Sequence, residues 1–580
     1  MRRGKLLVSI IGLMAFIMML GGVSYAYFIY NDDVVDVSLE TGGMQVTYTS
    51  GNTLDLTGAI PMNDNLGKIS PHYIDFSVTG RTDTEDIYYE IILVPKDGNT
   101  INPRYVKTYL TDQSNNNLHG VCPYDLMQNS SYKSGKVIYS NVLLHNTDGS
   151  VKNTTTNFRL RVWLDETYND QTSKTFAFDA YVYAQNVNVN LMNTFPSAIT
   201  DVKANIKEIY FQSDTRENID RDYAAATIKA DVTYQSRGNV KAWLVPDTAD
   251  NTMYIMYVKS DGEIYLSTGD SLFNNYTSVT KIILTNINTT LITSMNNMFG
   301  YDSSLSELNT SKFNTINVTT FGSAFRNCSS LTSINLSNYD MSNNTSLNLT
   351  FYSCSGLEGL NALDVSKMNT SSVTTFSGTF QNCSKITVLD VSRFNTMSAT
   401  TMEAMFSSCS KVATFNVSSF DTSNVVSMKN MFYNCGEIVT LDLSNFDTSK
   451  VTTMMQMFFQ CKKLSSLNVY YFNTINLRNM QSMFYYCSAL TVLDLSSFDT
   501  RNVTNMGGTF QRSGFVTIYV SDRWINASVT TTNNTFASTN NIVGGQGTTK
   551  EGNPDTAVYA RIDDPDNDLP GYLTYKPYPA

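Results

Sequence analysis

The chain has 580 residues, enough for several domains, and 42% of them are hydrophobic, enough for real cores. Only 16% are charged and the net charge is −11, which excludes the basic footprint of a nucleic-acid-binding protein. Three histidines, His72, His119 and His145, leave little material for acid–base or metal chemistry.

The first segment, residues 1–26, reads as an export signal. "MRRGK" is basic, an apolar run of 18 residues follows, and Ser24 and Ala26 offer small side chains where a signal peptidase reads. Cleavage after Ala26 is expected. The alternative is an uncleaved signal anchor, because the run is just long enough to span. Positive charge ahead of the run places the rest on the extracellular side of a bacterial membrane, secreted or at the cell surface. No cysteine lies near Ala26, so a lipid-modified N-terminus is not expected.

Residues 27–192 show strand patterns. Phe158, Leu160, Val162 and Leu164 alternate with other residues in "NFRLRVWLDE", as do Phe176, Phe178, Ala180 and Val182 in "TFAFDAYVYA". "YIDFSV" and "DIYYEIILV" add two strands, and Asn/Asp/Gly-rich connections separate them, the pattern of a β-sandwich. The segment "LGGVSYAYF" with "FSV", "YYEIIL" and "LRVWLD" resembles TasA/camelysin-type exported β-sandwich proteins of Gram-positive bacteria. That resemblance implies a jelly-roll-like domain able to polymerise by lending an N-terminal strand, here "YFIYNDDVVDVSLE", to a neighbour. A plain stalk or spacer is the simpler reading. No H-E-x-x-H motif supports the metal-dependent proteolysis linked to camelysin-type proteins.

Residues 193–234 are expected to be a linker, with "QSDTRENIDRDY" solvated. Residues 235–272 are expected to cap the region that follows, because an open end of stacked strands pairs with other chains unless covered. Trp243 and Trp524, near the two ends, read as cap packing.

From 273 to 540 the sequence repeats. Phe273, Phe299, Phe325 and Phe351 are 26 apart; after three extra residues Phe380, Phe406, Phe432, Phe458, Phe484, Phe510 and Phe536 resume the same interval. Three residues after its phenylalanine stands each of Cys328, Cys354, Cys383, Cys409, Cys435, Cys461 and Cys487, with Asp302 and Ser513 in that place near the ends. In one unit Leu441 and Leu443 alternate as a short strand. Elsewhere apolar residues recur every three, which predicts 3₁₀-like turns or a very short helix. The Asp-Thr and Asn-Thr steps after the next phenylalanine are turn formers. Such a unit cannot bury its own apolar edge but can on stacked copies of itself, with columns of Leu, Phe, Met and Cys inside. The fold expected is therefore mainly β: a β-sandwich, then a leucine-rich-repeat-type parallel β solenoid with short 3₁₀ or helical segments and terminal caps, residues 541–580 forming the C-terminal cap and tail.

The cysteines read as small hydrophobes in tight inner corners. A spacing of 26 with no nearby histidine does not make a metal site. Neighbouring strands also sit slightly too far apart for disulfides. No cofactor and no metal are expected.

"LDLSNFDTSKVTTM" and its siblings resemble the 26-residue Listeria-type repeat of BspA-like leucine-rich-repeat bacterial surface proteins, as do the lead-in from residue 238 and the ending from residue 540. The resemblance implies a surface-displayed right-handed solenoid that binds and does not catalyse.

Two outward columns are candidates for contact with a partner. Asn309, Asn335, Asp364, Asp390, Asn416, Asp442, Asn468 and Asp494 lie between the buried pair of each strand, and read as a ladder of mutual capping or as a cation or basic-partner site. A second column varies more, and Lys367, Arg393, Tyr470 and Tyr471 are its candidate ligand-binding residues. The function expected is an adhesin-like binding protein for an extracellular protein or glycan on a host or neighbouring cell. The alternative is a structural matrix or fibre subunit self-assembling through the N-terminal domain. A hydrolase has no constellation to support it.

Overall fold

The computed structural model describes residues 61–579 apart from 72, 83–84, 131–133, 170–175, 188, 235–237, 337–338, 360–361, 551–554 and 556, together with the backbone of 28–30, 45–48 and 52–55. The export segment therefore lies outside the described residues, as does most of the candidate donor strand. Among the described residues no helix is long and apolar enough to cross a membrane. The protein is mainly β and divides into two compact units, residues 1–188 and 189–580.

The first unit contains two five-stranded sheets. One runs β1 (Phe28–Tyr30), β3 (Asn52–Asp55), β10 (Ala177–Val187), β5 (Asp86–Pro95), β8 (Lys136–Leu143); the other runs β2 (Gln45–Tyr48), β4 (Tyr73–Thr82), β9 (Lys152–Leu164), β6 (Val106–Asp112), β7 (Asn117–Pro123). All pairings are antiparallel. Side chains from both sheets share one core: Ile74, Phe76, Phe158 and Leu160 meet Ile91, Leu93, Phe178 and Val182. The alternation in the sequence is what permits this, since every second side chain points to the same face. The far end of β9 departs from it, because Arg161 and Trp163 are buried too. A short helix, α1 (Asp64–Lys68), covers that face: Gly67 lies against the Trp163 ring, where a Cβ would come within 2.2 Å of it. Lys107 bridges Asp64 at 2.6 Å and Asp165 at 2.5 Å beside it.

The second unit begins earlier than the sequence suggests. Residues 193–234 are not a linker. β12 (Ile206–Ser213) lies inside a six-stranded sheet ordered β13 (Ile228–Asp231), β14 (Lys241–Pro246), β15 (Tyr254–Ser260), β12, β17 (Lys281–Leu284), β19 (Glu307–Asn309). Ile206, Ile209 and Phe211 are fully buried in its core, and α2 (Ser197–Thr200) contributes Ile199. The charged stretch forms α3 (Arg216–Ala225), capped by the Thr215 hydroxyl and anchored by buried Ile219. Its abundance of charge hid one apolar anchor and the strand before it. A parallel ladder of β11 (Asn190–Met192), β16 (Ile264–Leu266) and β18 (Ile287–Asn288) completes this end.

β12, β15, β17 and β19 are parallel, and Ile282 pairs with Leu308. The capping sheet thus runs directly into the repeats. There the Leu-x-Leu segments pair in parallel, as in β20 (Thr440–Asp442) with β21 (Ser466–Asn468), where Leu441 faces Leu467. A second parallel ladder of single bridges runs Ser346, Thr375, Thr401, Ser427, Thr453, Asn479, Asn505, Thr531. The three extra residues are absorbed where Gly359 takes φ +93° with open space around it, so this ladder stays in register.

Between these ladders no described residue of 273–540 is helical. The expected helical segment is three overlapping tight turns. In one repeat they are closed by Ala324 N–H to Phe321 O, Arg326 N–H to Ser323 O and Cys328 N–H to Phe325 O. Positive φ at Ser323 (57°) and Asn327 (60°) gives the outer two the third-residue signature of type II turns. The alternate N–H groups, of Phe321, Ser323, Phe325 and Asn327, donate to the next repeat. Two left-handed residues per repeat break the helix that the every-third-residue spacing suggested.

Eleven phenylalanine rings stack face to face from Phe273 to Phe536, with centroids 5.2–6.0 Å apart. The column is closed edge-on at both ends, by Phe211 at 77° and by Tyr572 at 81°. Each ring is fully buried, which contributes roughly 1.5–3 kcal/mol apiece. At the far end β22 (Val492–Leu495), β23 (Thr517–Val520) and β24 (Thr574–Tyr575) pair in parallel, and the Trp524 indole N–H donates to Ala560 O at 2.8 Å.

Candidate functional site

The repeat core is where the sequence places it. Phe325, Phe351, Phe380, Phe406, Phe432, Phe458 and Phe484 are buried, with Cys328, Cys354, Cys383, Cys409, Cys435, Cys461 and Cys487 beside them. All these thiols are free, and each donates to the carbonyl of the phenylalanine one repeat earlier, at 2.9–3.2 Å. Burial pushes every thiol up, Cys383 and Cys461 to about 12, so thiolate chemistry is suppressed. Ser513 and Thr539 place hydroxyls in the same position, donating to Phe484 and Phe510. Near the start the position is held by Asp302. It is fully buried: Oδ1 accepts from Tyr276 N–H at 2.8 Å and Oδ2 has no hydrogen-bond partner among the described residues.

The Asn/Asp column faces outward and is tied down by its own turns. Oδ1 of Asn309, Asp364, Asp390, Asp442 and Asp494 accepts from the N–H two residues on, at 2.9–3.0 Å. Along the stack, Asn468 Nδ2 donates to Asp442 Oδ1 at 3.0 Å. The Ser444 N–H and hydroxyl hold the Asp442 carboxyl below its ordinary value. Burial pushes Asp494 up, but Lys576 and Ser496 outweigh it and hold it low. Among the described residues no three His, Cys, Asp or Glu side chains converge on a cation position.

The four candidate ligand-binding residues share one side of the stack but form two patches. Lys367 and Arg393 are one repeat apart, the first exposed and the second half-buried. Tyr470 and Tyr471 lie three repeats further on, 40% and 66% exposed, their rings edge-to-face at 4.9 Å. Between the patches stand Ser419 and Asn445, the latter donating to Val417 and Phe420 carbonyls.

Sequence reasoning missed a groove of about 520 Å³ along the first five repeats. Its walls are two columns beside the Phe stack. One holds Asn275, Tyr301, Asn327, Ser353 and Asn382, all left-handed with φ between 56° and 66°. The other runs from Thr277 to Ser384. The signal was present, since a polar residue recurs two and four places after each of these phenylalanines, but it reads as filler until the turns expose it.

A second cavity, about 720 Å³, lies between α3 and its sheet, walled by Trp243, Tyr254, Tyr257 and Val245. Trp243 is 2% exposed, consistent with cap packing, and Lys259 lies over its ring while bonding Asp214 at 2.9 Å. Asp214 is held down to about 2 by that lysine and its neighbours.

Three stretches, residues 268–364, 355–440 and 435–545, match the model of a family described as "Mycoplasma protein of unknown function, DUF285". No curated protein matches the chain.

Proposed function

We propose that the chain is an exported bacterial protein, secreted or held at the cell surface, that works by binding and not by catalysis. In this reading the repeats form a leucine-rich-repeat-type solenoid like that of BspA-like surface proteins. The first unit is a jelly-roll-like β-sandwich base of the TasA/camelysin type. The partner is an extracellular protein or glycan. One observation carries the reading: the inward side chains of successive repeats are held constant while an outward column changes from Lys367 and Arg393 to Tyr471. Constant cores with variable outward positions make an extended recognition surface. The test is capture of extracellular proteins and glycans by the full-length protein, compared with a variant carrying Lys367→Ala, Arg393→Ala, Tyr470→Ala and Tyr471→Ala. Loss of capture with an unchanged melting temperature supports the strip; undiminished capture removes it.

The fibre-subunit alternative draws on β1. It is a three-residue edge strand paired to β3 (Phe28 facing Leu54), the position at which strands exchange between copies. Electron microscopy of purified protein decides it, fibres favouring the alternative and single particles the binding protein.

A further inference from the structure

We propose that the groove along the first five repeats binds a neutral, linear polysaccharide, with about one sugar unit per repeat. This rests on the reading of the chain as a recognition protein and names its ligand class.

The lining carries amides, hydroxyls and one aromatic ring, and no carboxylate, ammonium or guanidinium. That chemistry does not select phosphates, nucleic acids or acidic glycans, which need cationic partners. It matches sugar hydroxyls, which both donate and accept. The groups are also available. The side chains of Asn275, Thr277, Asn327 and Ser355 make no hydrogen bond within the described structure. In another column the Thr319, Thr345, Thr374 and Thr400 hydroxyls are all spent on carbonyls of the preceding repeat.

Along the first wall of the groove the backbone N–H groups are already spent within the stack. Asn275, Asn327 and Asn382 N–H groups already donate to the next repeat at 2.7–2.8 Å. Recognition there is by side chains. Tyr301, 37% exposed, provides an aromatic face, and the Arg326 guanidinium lies over its ring at 5.2 Å. The repeat distance supplies the register: parallel strands advance by about 4.8 Å, close to the advance of one hexose in an extended chain.

The test titrates the full-length protein with neutral hexamers of β-1,4-glucose, α-1,4-glucose, β-1,4-mannose and β-1,4-N-acetylglucosamine, and with heparin and hyaluronan as acidic comparators. One neutral series is expected to bind, with affinity rising with each unit up to five and then levelling. Asn275→Gly with Asn327→Gly removes two amides while glycine keeps the left-handed backbone, and is expected to weaken binding at least about tenfold with the melting temperature held. Thr277→Val, at an exposed position, gives a second loss independent of the first. Failure of every neutral hexamer, a preference for the acidic chains, or binding that survives both sets of substitutions overturns the groove. In those cases capture of another partner through Lys367, Arg393, Tyr470 and Tyr471 leaves the broader binding function standing, and its absence removes both.

Discussion

The thiol of Cys435 donates to the backbone carbonyl of Phe406, one repeat earlier, at 3.1 Å. The same carbonyl accepts from Cys409 N–H at 3.0 Å, so one buried oxygen is satisfied by two successive repeats. Cysteine is thus a small apolar filler that also carries a donor. Cys435→Ser keeps the donor, as Ser513 does, and is expected to cost under about 1 kcal/mol. Cys435→Val loses it and adds bulk, and is expected to cost about 1–3 kcal/mol in denaturant unfolding. With all eight cysteines buried, a thiol reagent should label none in the native protein and eight after unfolding.

Two residues before each repeat phenylalanine the backbone is left-handed whatever the side chain. Ala404 has φ 51° and Gly378 φ 60°. Ala404→Gly relieves that strain and is expected to stabilise by about 0.5–1 kcal/mol. Gly378→Ala is expected to destabilise by more than about 1 kcal/mol, since its Cβ would lie 2.5 Å from Leu349 Cδ2. Paired thermal melts check both signs.

Burial pushes the Asp302 carboxyl well above its ordinary value of 3.8, outweighing the Tyr276 N–H and the nearby Lys203. The folded protein therefore holds a proton there that the unfolded chain has already lost, and stability falls as pH rises above that ordinary value. Asp302→Asn keeps an acceptor for Tyr276 and needs no proton. It is expected to stabilise by about 1–3 kcal/mol at pH 7, with the gain shrinking as pH falls toward 4. Denaturant titrations of both proteins across that range measure it.

A fragment beginning at residue 235 loses β11, β12 and β13, which removes a central strand and an edge from the six-stranded sheet and exposes parallel edges. A fragment of residues 189–580 keeps them. The shorter fragment is expected to aggregate or melt well below the longer one, as read by light scattering during a thermal ramp.

Periodicity made the repeat core legible: the spacing of Phe406, Cys409 and Leu441 located three buried columns. The alternation in β9 did the same for the first unit. Two things stayed hidden. The strand Ile206–Ser213 precedes a charged helix, and its role depends on pairing with β15 and β17, tens of residues away. The left-handed positions carry Ser, Asn, Leu, Ala, Gln, Gly, Tyr and Arg in different repeats, so no residue type announces them. The groove follows from those turns and was hidden with them. The outward strip was legible as a column, but its division into two patches needed the interval of three repeats to be laid out along the stack.

The account stands on parallel, in-register stacking of successive repeats. Spin labels on cysteines introduced at the exposed Tyr471 and, in turn, at Ser419, Arg393, Lys367 and Lys312 test it by pulsed dipolar spectroscopy, because the native thiols are buried. The distances should lengthen in that order by about 5 Å for each added repeat. Distances that do not increase in that order, or that spread over a broad range, would contradict the stack and the recognition surface built on it.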